Sequence, residues 1–147
     1  EDLSESKHQS IQNFVEFATK RLKLKESPNV TLVGGREFAE VKTSLGGYNP
    51  DDKTIYVATE GRLTADILRT LAHEMVHARQ FLRGELTCEG GFAWKGNNAS
   101  EFKYKDQPWE KEAYSLERDL FLDCFPFVII TIVMISQHGI NTHRRLD

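Results

Sequence analysis

The sequence predicts an α+β fold: a small antiparallel or mixed sheet packed against an N-terminal helix and a central helix carrying H-E-x-x-H, with a second glutamate-bearing helix behind them. Three observations support this. Apolar residues recur at helical spacing in three separate segments, Thr54-Ile55-Tyr56-Val57-Ala58 alternates as a strand, and that strand runs directly into the central helix. At 147 residues the chain suits one domain, 1–147, long enough for a hydrophobic core without staples.

From Ser4 to about Lys25, Ile11, Phe14, Val15, Phe17, Ala18, Leu22 and Leu24 fall largely on one stripe, which predicts an amphipathic scaffold helix within residues 1–27. Lys20, Arg21, Lys23 and Lys25 lie at its end, where cations suit the helix dipole. With a net charge of -3 and a pI near 6.0, the chain lacks the basic excess of a nucleic-acid binder. Ser27-Pro28-Asn29 breaks the helix, and Val30-Thr31-Leu32-Val33 reads as a short strand. Val41 to Tyr48, the turn Asn49-Pro50-Asp51-Asp52 and Thr54 to Ala58 then read as a hairpin. Gly46 and Gly47 in its first arm mark a bulge or a close approach of another backbone, and with Tyr48 they are candidates for a substrate rim.

The central helix spans Ile67 to Leu82, with Thr64 as the expected N-cap, Asp66 in the first turn and Gly84 as the stop. His73 and His77 are four apart and so project to one side, close enough to hold one Zn²⁺. Glu74, one step round the helix, is placed to take a proton from a water activated by the metal rather than to bind the ion. Such a pattern arises by chance in about one of a few hundred chains of this size. Here it falls among Leu68, Leu71, Ala72, Met75 and Val76, a buried helical face of the kind a metallohydrolase requires.

Gly84 to Gln107 has little periodicity and carries Phe92, Trp94, Phe102 and Tyr104, which predicts a long connection forming a wall of the cleft. Pro108 opens the next helix, expected to reach about Leu122. A catalytic zinc takes three protein ligands, so this helix should supply the third, from Glu110 or Glu112. Phe125 to Ile135 is the most apolar run, too short to cross a bilayer and expected in the core; if exposed, it would favour self-association. Residues 137–147 read as a polar tail with His138 and His143. Cys88 and Cys124 have no disulfide or zinc-site spacing and are expected reduced. With no signal peptide in these residues, a cytoplasmic location is the expectation, left open because the chain begins at Glu1 rather than Met.

Taken together, His73-Glu74-Met75-Val76-His77-Ala78-Arg79-Gln80 and Pro108-Trp109-Glu110-Lys111-Glu112-Ala113 resemble the gluzincin metallopeptidases, and among them the single-domain minigluzincins and similar phage-encoded proteins. The resemblance covers roughly residues 46–122. It implies a zinc-dependent endopeptidase acting on a peptide or protein, with His73, His77 and a glutamate as ligands and Glu74 as general base and proton donor. The repressor-cleaving pattern maps that glutamate to Glu110, the thermolysin-like pattern to Glu112; Glu110 is the preferred assignment. An oxyanion partner is also expected, with Tyr114, Tyr48, His138 and His143 as candidates. Some minigluzincins resemble zymogens, and by that likeness the tail would plug the cleft through His138 or His143. The rival expectation is a non-catalytic, phage-derived binding or structural protein that keeps the zincin fold, with its metal structural or absent.

Overall fold

The computed structural model describes residues 4–34 and 45–124. Helix α1 (Glu5–Arg21) starts where Ser4 Oγ accepts the Lys7 N–H at 3.3 Å, and buries Ile11, Phe14 and Ala18. It ends earlier than the expected Lys25. Lys23 adopts the left-handed conformation at φ 57°, and the Leu24 N–H turns back to Thr19 O at 3.0 Å, closing the helix.

Strands β1 (Asn29–Val33), β2 (Gly46–Asn49) and β3 (Thr54–Ala58) form a mixed sheet in the order β1-β3-β2. β3 is central, parallel to β1 (Val30 opposite Ile55) and antiparallel to β2 (Tyr48 opposite Ile55). Its two faces are both covered, so Thr54, Ile55, Val57 and Ala58 are buried. The predicted turn between β2 and β3 forms through its side chains: Asn49 Oδ1 accepts the Asp51 N–H at 2.9 Å, and Asp52 Oδ1 accepts the Thr54 N–H at 3.1 Å. The expected beginning of the first arm, residues 41–44, lies outside the described residues.

Helix α2 (Thr64–Leu82) is the centre of the molecule, packed on α1, on β2 and β3, and on the last helix. Its expected N-cap, Thr64, is corrected. Leu63 holds that position without a side-chain cap, and Thr64 is already helical. The Arg62 guanidinium ties the helix start to the sheet instead, donating to Ala58 O at 2.8 Å, Asp66 O at 3.1 Å and Thr70 Oγ1 at 2.7 Å. Gly84, at φ 72°, ends the helix as expected.

The following stretch is more ordered than its sequence suggests. Three two-residue strands, β4 (Leu86–Thr87), β5 (Ala93–Trp94) and β6 (Asn97–Asn98), form an antiparallel meander, followed by 3₁₀ turns at Ala99–Glu101 and Tyr104–Asp106. Lys95 and Gly96 both take positive φ, 48° and 86°, as a tight primed hairpin turn requires. Leu86 and Trp94 pack with Trp109 in a small second core joined by Phe81, Ala99 and Phe102. Helix α3 (Pro108–Cys124) then lies along α2, burying Trp109, Ala113, Leu120 and Phe121. It runs two residues past the expected Leu122.

Cys88 and Cys124 are free thiols. Among the described residues, no helix is long and apolar enough to cross a membrane. The apolar run 125–135 and the tail 137–147, with His138 and His143, lie outside the described residues.

Gly46 explains how closely β2 approaches α2. A Cβ there would stand 2.5 Å from Thr70 Cγ2, 3.2 Å from Tyr56 O and 3.4 Å from Glu74 Cγ, whereas one at Gly47 would meet nothing within 4 Å. Where a bulge or another backbone was the expectation, the nearest neighbour at Gly46 is the Thr70 side chain of α2, and of the two only Gly46 needs to be glycine. Gly46→Ala should destabilise the fold by about 1–3 kcal/mol through overpacking, while Gly47→Ala should change stability by less than about 0.5 kcal/mol. Chemical denaturation measures both, and adding Thr70→Ser to Gly46→Ala should recover part of the loss.

Candidate metal centre

Helix α2 sets His73 and His77 one turn apart, with their Nε2 atoms 3.2 Å from each other. The first turn of α3 brings Glu110 onto both, its Oε1 lying 3.0 Å from His73 Nε2 and 3.4 Å from His77 Nε2. Bonds of about 2.0–2.1 Å to a tetrahedral metal place neighbouring ligand atoms about 3.3–3.4 Å apart. The triangle of 3.0, 3.2 and 3.4 Å is close to one face of such a tetrahedron. Among the described residues, His73, His77 and Glu110 are the group that can hold a metal ion.

The opposite edge of each imidazole is also fixed. His73 Nδ1–H donates to Glu117 Oε1 at 2.9 Å, and Glu117 Oε2 accepts from Arg69 at 3.2 Å. His77 Nδ1–H donates to Gln80 Oε1 at 2.8 Å. The Gln80 amide is oriented in turn by donating to Trp109 O at 3.0 Å and to Glu112 Oε1 at 2.9 Å. With each Nδ1–H engaged, each Nε2 is the nitrogen turned toward Glu110, and once its proton is displaced it is the atom free to bind a metal. The donor set and its outer partners therefore fit a divalent cation.

Of the two acids weighed from sequence, Glu110 faces the histidines and Glu112 instead holds Gln80. Sequence reasoning missed Glu117 and Gln80. Glu117 had a legible signal, because it lies seven residues after Glu110 and so two turns along the same face of α3. Gln80 had its own, three residues after His77.

Glu74 is buried beside this group. Burial raises its pKa above 4.5, against the pull of His77 and His73. It lines both cavities that open at the centre. The larger, about 690 Å³, reaches from Leu45 and Gly46 past the metal group to Arg62, Tyr104 and Tyr114. The Tyr114 ring lies 4.5 Å from that of His73, and the residue is 62% exposed. Burial, then the carboxylates of Glu110 and Glu117, raise its hydroxyl pKa. Tyr48 packs tilted against Phe81, ring centroids 5.7 Å apart, and lines the smaller cavity. Of the proposed rim, Gly46 and Tyr48 line the cavities and Gly47 lines neither.

Compared with known proteins, the chain matches no family model, no curated protein and no solved structure.

Burial opposes charge on His73, but its hydrogen bonds to Glu110 and Glu117 and the field of Glu74 outweigh this and push its pKa from 6.5 up to about 9. Glu110, although burial works the other way, is pulled down to about 2 by the two histidines. Without metal, the site therefore carries a proton on His73 at neutral pH, which a cation must displace. Apparent affinity for zinc should rise with pH and level off above about 9. Calorimetry at pH 7 in buffers of different ionisation enthalpy should record the released proton. Glu117→Ala should weaken metal binding by about 10–100-fold while keeping the same stoichiometry, whereas Glu110→Ala removes a ligand and should cost more.

Proposed function

We propose that this chain is a zinc-dependent peptidase of the gluzincin type. The observation that carries the proposal is the coincidence of a three-ligand group with a buried carboxylate that takes no part in it. His73, His77 and Glu110 converge on one point, while Glu74 stands beside them in the cleft with a raised pKa. Two imidazoles and one carboxylate are a donor set that suits zinc, and a three-ligand site leaves a position for substrate or water.

When bound, zinc supplies a Lewis acid that acidifies water and polarises a carbonyl. Glu74 accepts the proton of the attacking water and returns it to the departing amine. Its raised pKa favours both halves of that transfer near neutral pH. Gly46 keeps β2 against Thr70 and Glu74, which closes one side of the cleft around the carboxylate. The Tyr114 hydroxyl, kept protonated by its raised pKa, is the donor for the oxygen that gains charge during attack. Leu45, Phe92, Tyr104 and Tyr114, four of the six exposed large apolar side chains among the described residues, border the two cavities, as suits a cleft for a polypeptide.

Metal analysis and hydrolysis assays on three proteins test this reading. Wild type should bind one zinc and cleave peptides. Glu74→Gln should keep the zinc and lose activity by at least about a hundredfold, the lower range for a general acid–base. His73→Ala should lose both. Zinc binding without hydrolysis of any peptide by wild type would instead favour a structural metal, and failure to bind zinc would overturn the proposal.

A further inference from the structure

Besides its apolar residues and the metal group, the larger cavity is lined by Arg62, Asp66, Arg69 and Thr70, which lie at or just before the start of α2. The two arginines are held differently. Arg62 is committed to the fold, donating to Ala58 O, Asp66 O and Thr70 Oγ1, and the Asp66 carboxylate offsets its charge. Arg69 is not. Its side chain is only 20% exposed, yet among the described residues its one hydrogen bond runs to Glu117 Oε2, at 3.2 Å. A guanidinium is a planar fork of several N–H donors, so most of those on Arg69 have no acceptor among the described residues and are left for the cavity it lines. Donors withdrawn from bulk water without a partner are costly, and an acceptor arriving in the cavity relieves that cost.

Arg69 stands one turn before His73 on α2, and Glu117 joins the two, accepting from His73 Nδ1 at 2.9 Å and from Arg69 at 3.2 Å. Its unused donors therefore lie two hydrogen bonds from the His73 ring. Holding Glu117 takes a single N–H, which a lysine would supply. A fork with donors to spare suits a second carboxylate, gripped through two parallel N–H groups. Resting on the peptidase reading, we infer that Arg69 binds a carboxylate of the substrate within about three residues of the bond that is cut, the reach of a short extended chain at roughly 3.3–3.6 Å per residue. That carboxylate is either a free C-terminus or an Asp or Glu side chain, and the chemistry of its capture is the same. Substrate selection and metal binding thus meet at Glu117, which pairs with Arg69 through one oxygen and holds His73 through the other.

The test digests a peptide pool of randomised sequence, prepared once with free C-termini and once amidated, and maps the cuts by mass spectrometry. Zinc-loaded wild type, Arg69→Gln, Arg69→Lys and Glu117→Gln are compared by their bias between charged and neutral sequences, not by total activity. Wild type should favour a carboxylate near the cut about tenfold, the lower end for a hydrogen bond to a charged group. A bias that vanishes on amidation identifies the C-terminus as the source; one that persists as Asp and Glu over Asn and Gln identifies a side chain. Arg69→Gln should bring the bias to parity, and Arg69→Lys, which keeps the charge without the fork, should lower it severalfold and serves should the glutamine variant not fold. Glu117→Gln should keep the bias, because the fork remains. Equal cutting of charged and neutral sequences by wild type, or a bias unchanged in both arginine variants, would overturn the inference. So would its loss in Glu117→Gln, since Arg69 would then act only by holding Glu117. The same pools are captured on zinc-loaded Glu74→Gln with and without Arg69→Gln. Should wild type cut nothing, the peptidase reading fails and capture alone decides the site: a carboxylate bias that Arg69→Gln abolishes supports it, and unbiased capture overturns it.

Discussion

The cluster of His73, His77 and Glu110 depends on the partners that hold the far nitrogen of each ring. Two imidazoles with their Nε2 atoms 3.2 Å apart, and 3.0 and 3.4 Å from one carboxylate oxygen, are costly to hold in a partly buried cleft unless their remaining donors and acceptors find partners. The packing of α3 along α2 supplies those partners. Glu110, Glu112 and Glu117 lie on one helix and do three different things: one faces the histidines, one orients Gln80, and one anchors His73 while pairing with Arg69. Removing the helix contact would cost more than apolar area, since it would strand His73 Nδ1 without its acceptor and leave the Gln80 amide, which holds His77, without the groups that orient it.

The same contact anchors the site at a second point. Trp109 fixes the start of α3 by burying its ring with Leu86 and Trp94 in the second core, and its carbonyl accepts from Gln80. An apolar anchor and a polar relay thus meet in one residue next to Glu110. The meander β4-β5-β6 does more than fill a gap. By presenting Leu86 and Trp94 to Trp109, it sets where the first turn of α3 lies, and therefore where Glu110 lies.

Much of this was legible before any coordinates, and the rest was illegible for physical reasons. The helical period of α1, α2 and α3 survives in sequence because each buries one stripe over four or more turns. His73, Glu74 and His77 are readable because a single helix supplies them at fixed spacing. Glu117 and Gln80 showed only a helical spacing and no role, because Glu117 reaches His73 and Gln80 reaches Trp109 and Glu112 only once α2 and α3 dock, and docking leaves no local pattern. The meander was hidden for another reason: strands of two residues cannot display an alternation. The ambiguity between Glu110 and Glu112 is of the first kind. Residues two apart on a helix face different neighbours, and only the neighbours decide which faces the metal group.

Function lives in the site and not in the fold. A pair of histidines on a helix could be a solvated surface pair. What separates this pair from that reading is the asymmetry of its surroundings. Each ring has an acceptor at Nδ1 and shares Glu110 at Nε2, and the adjacent Glu74 is buried with no task in that network. A purely structural arrangement gains nothing from keeping an ionisable carboxyl buried beside three groups that can hold a cation. Its raised pKa shows the cost of that burial. Such a cost is expected where a proton has to be carried, and Glu74 faces both arms of the cleft where a substrate would present the bond.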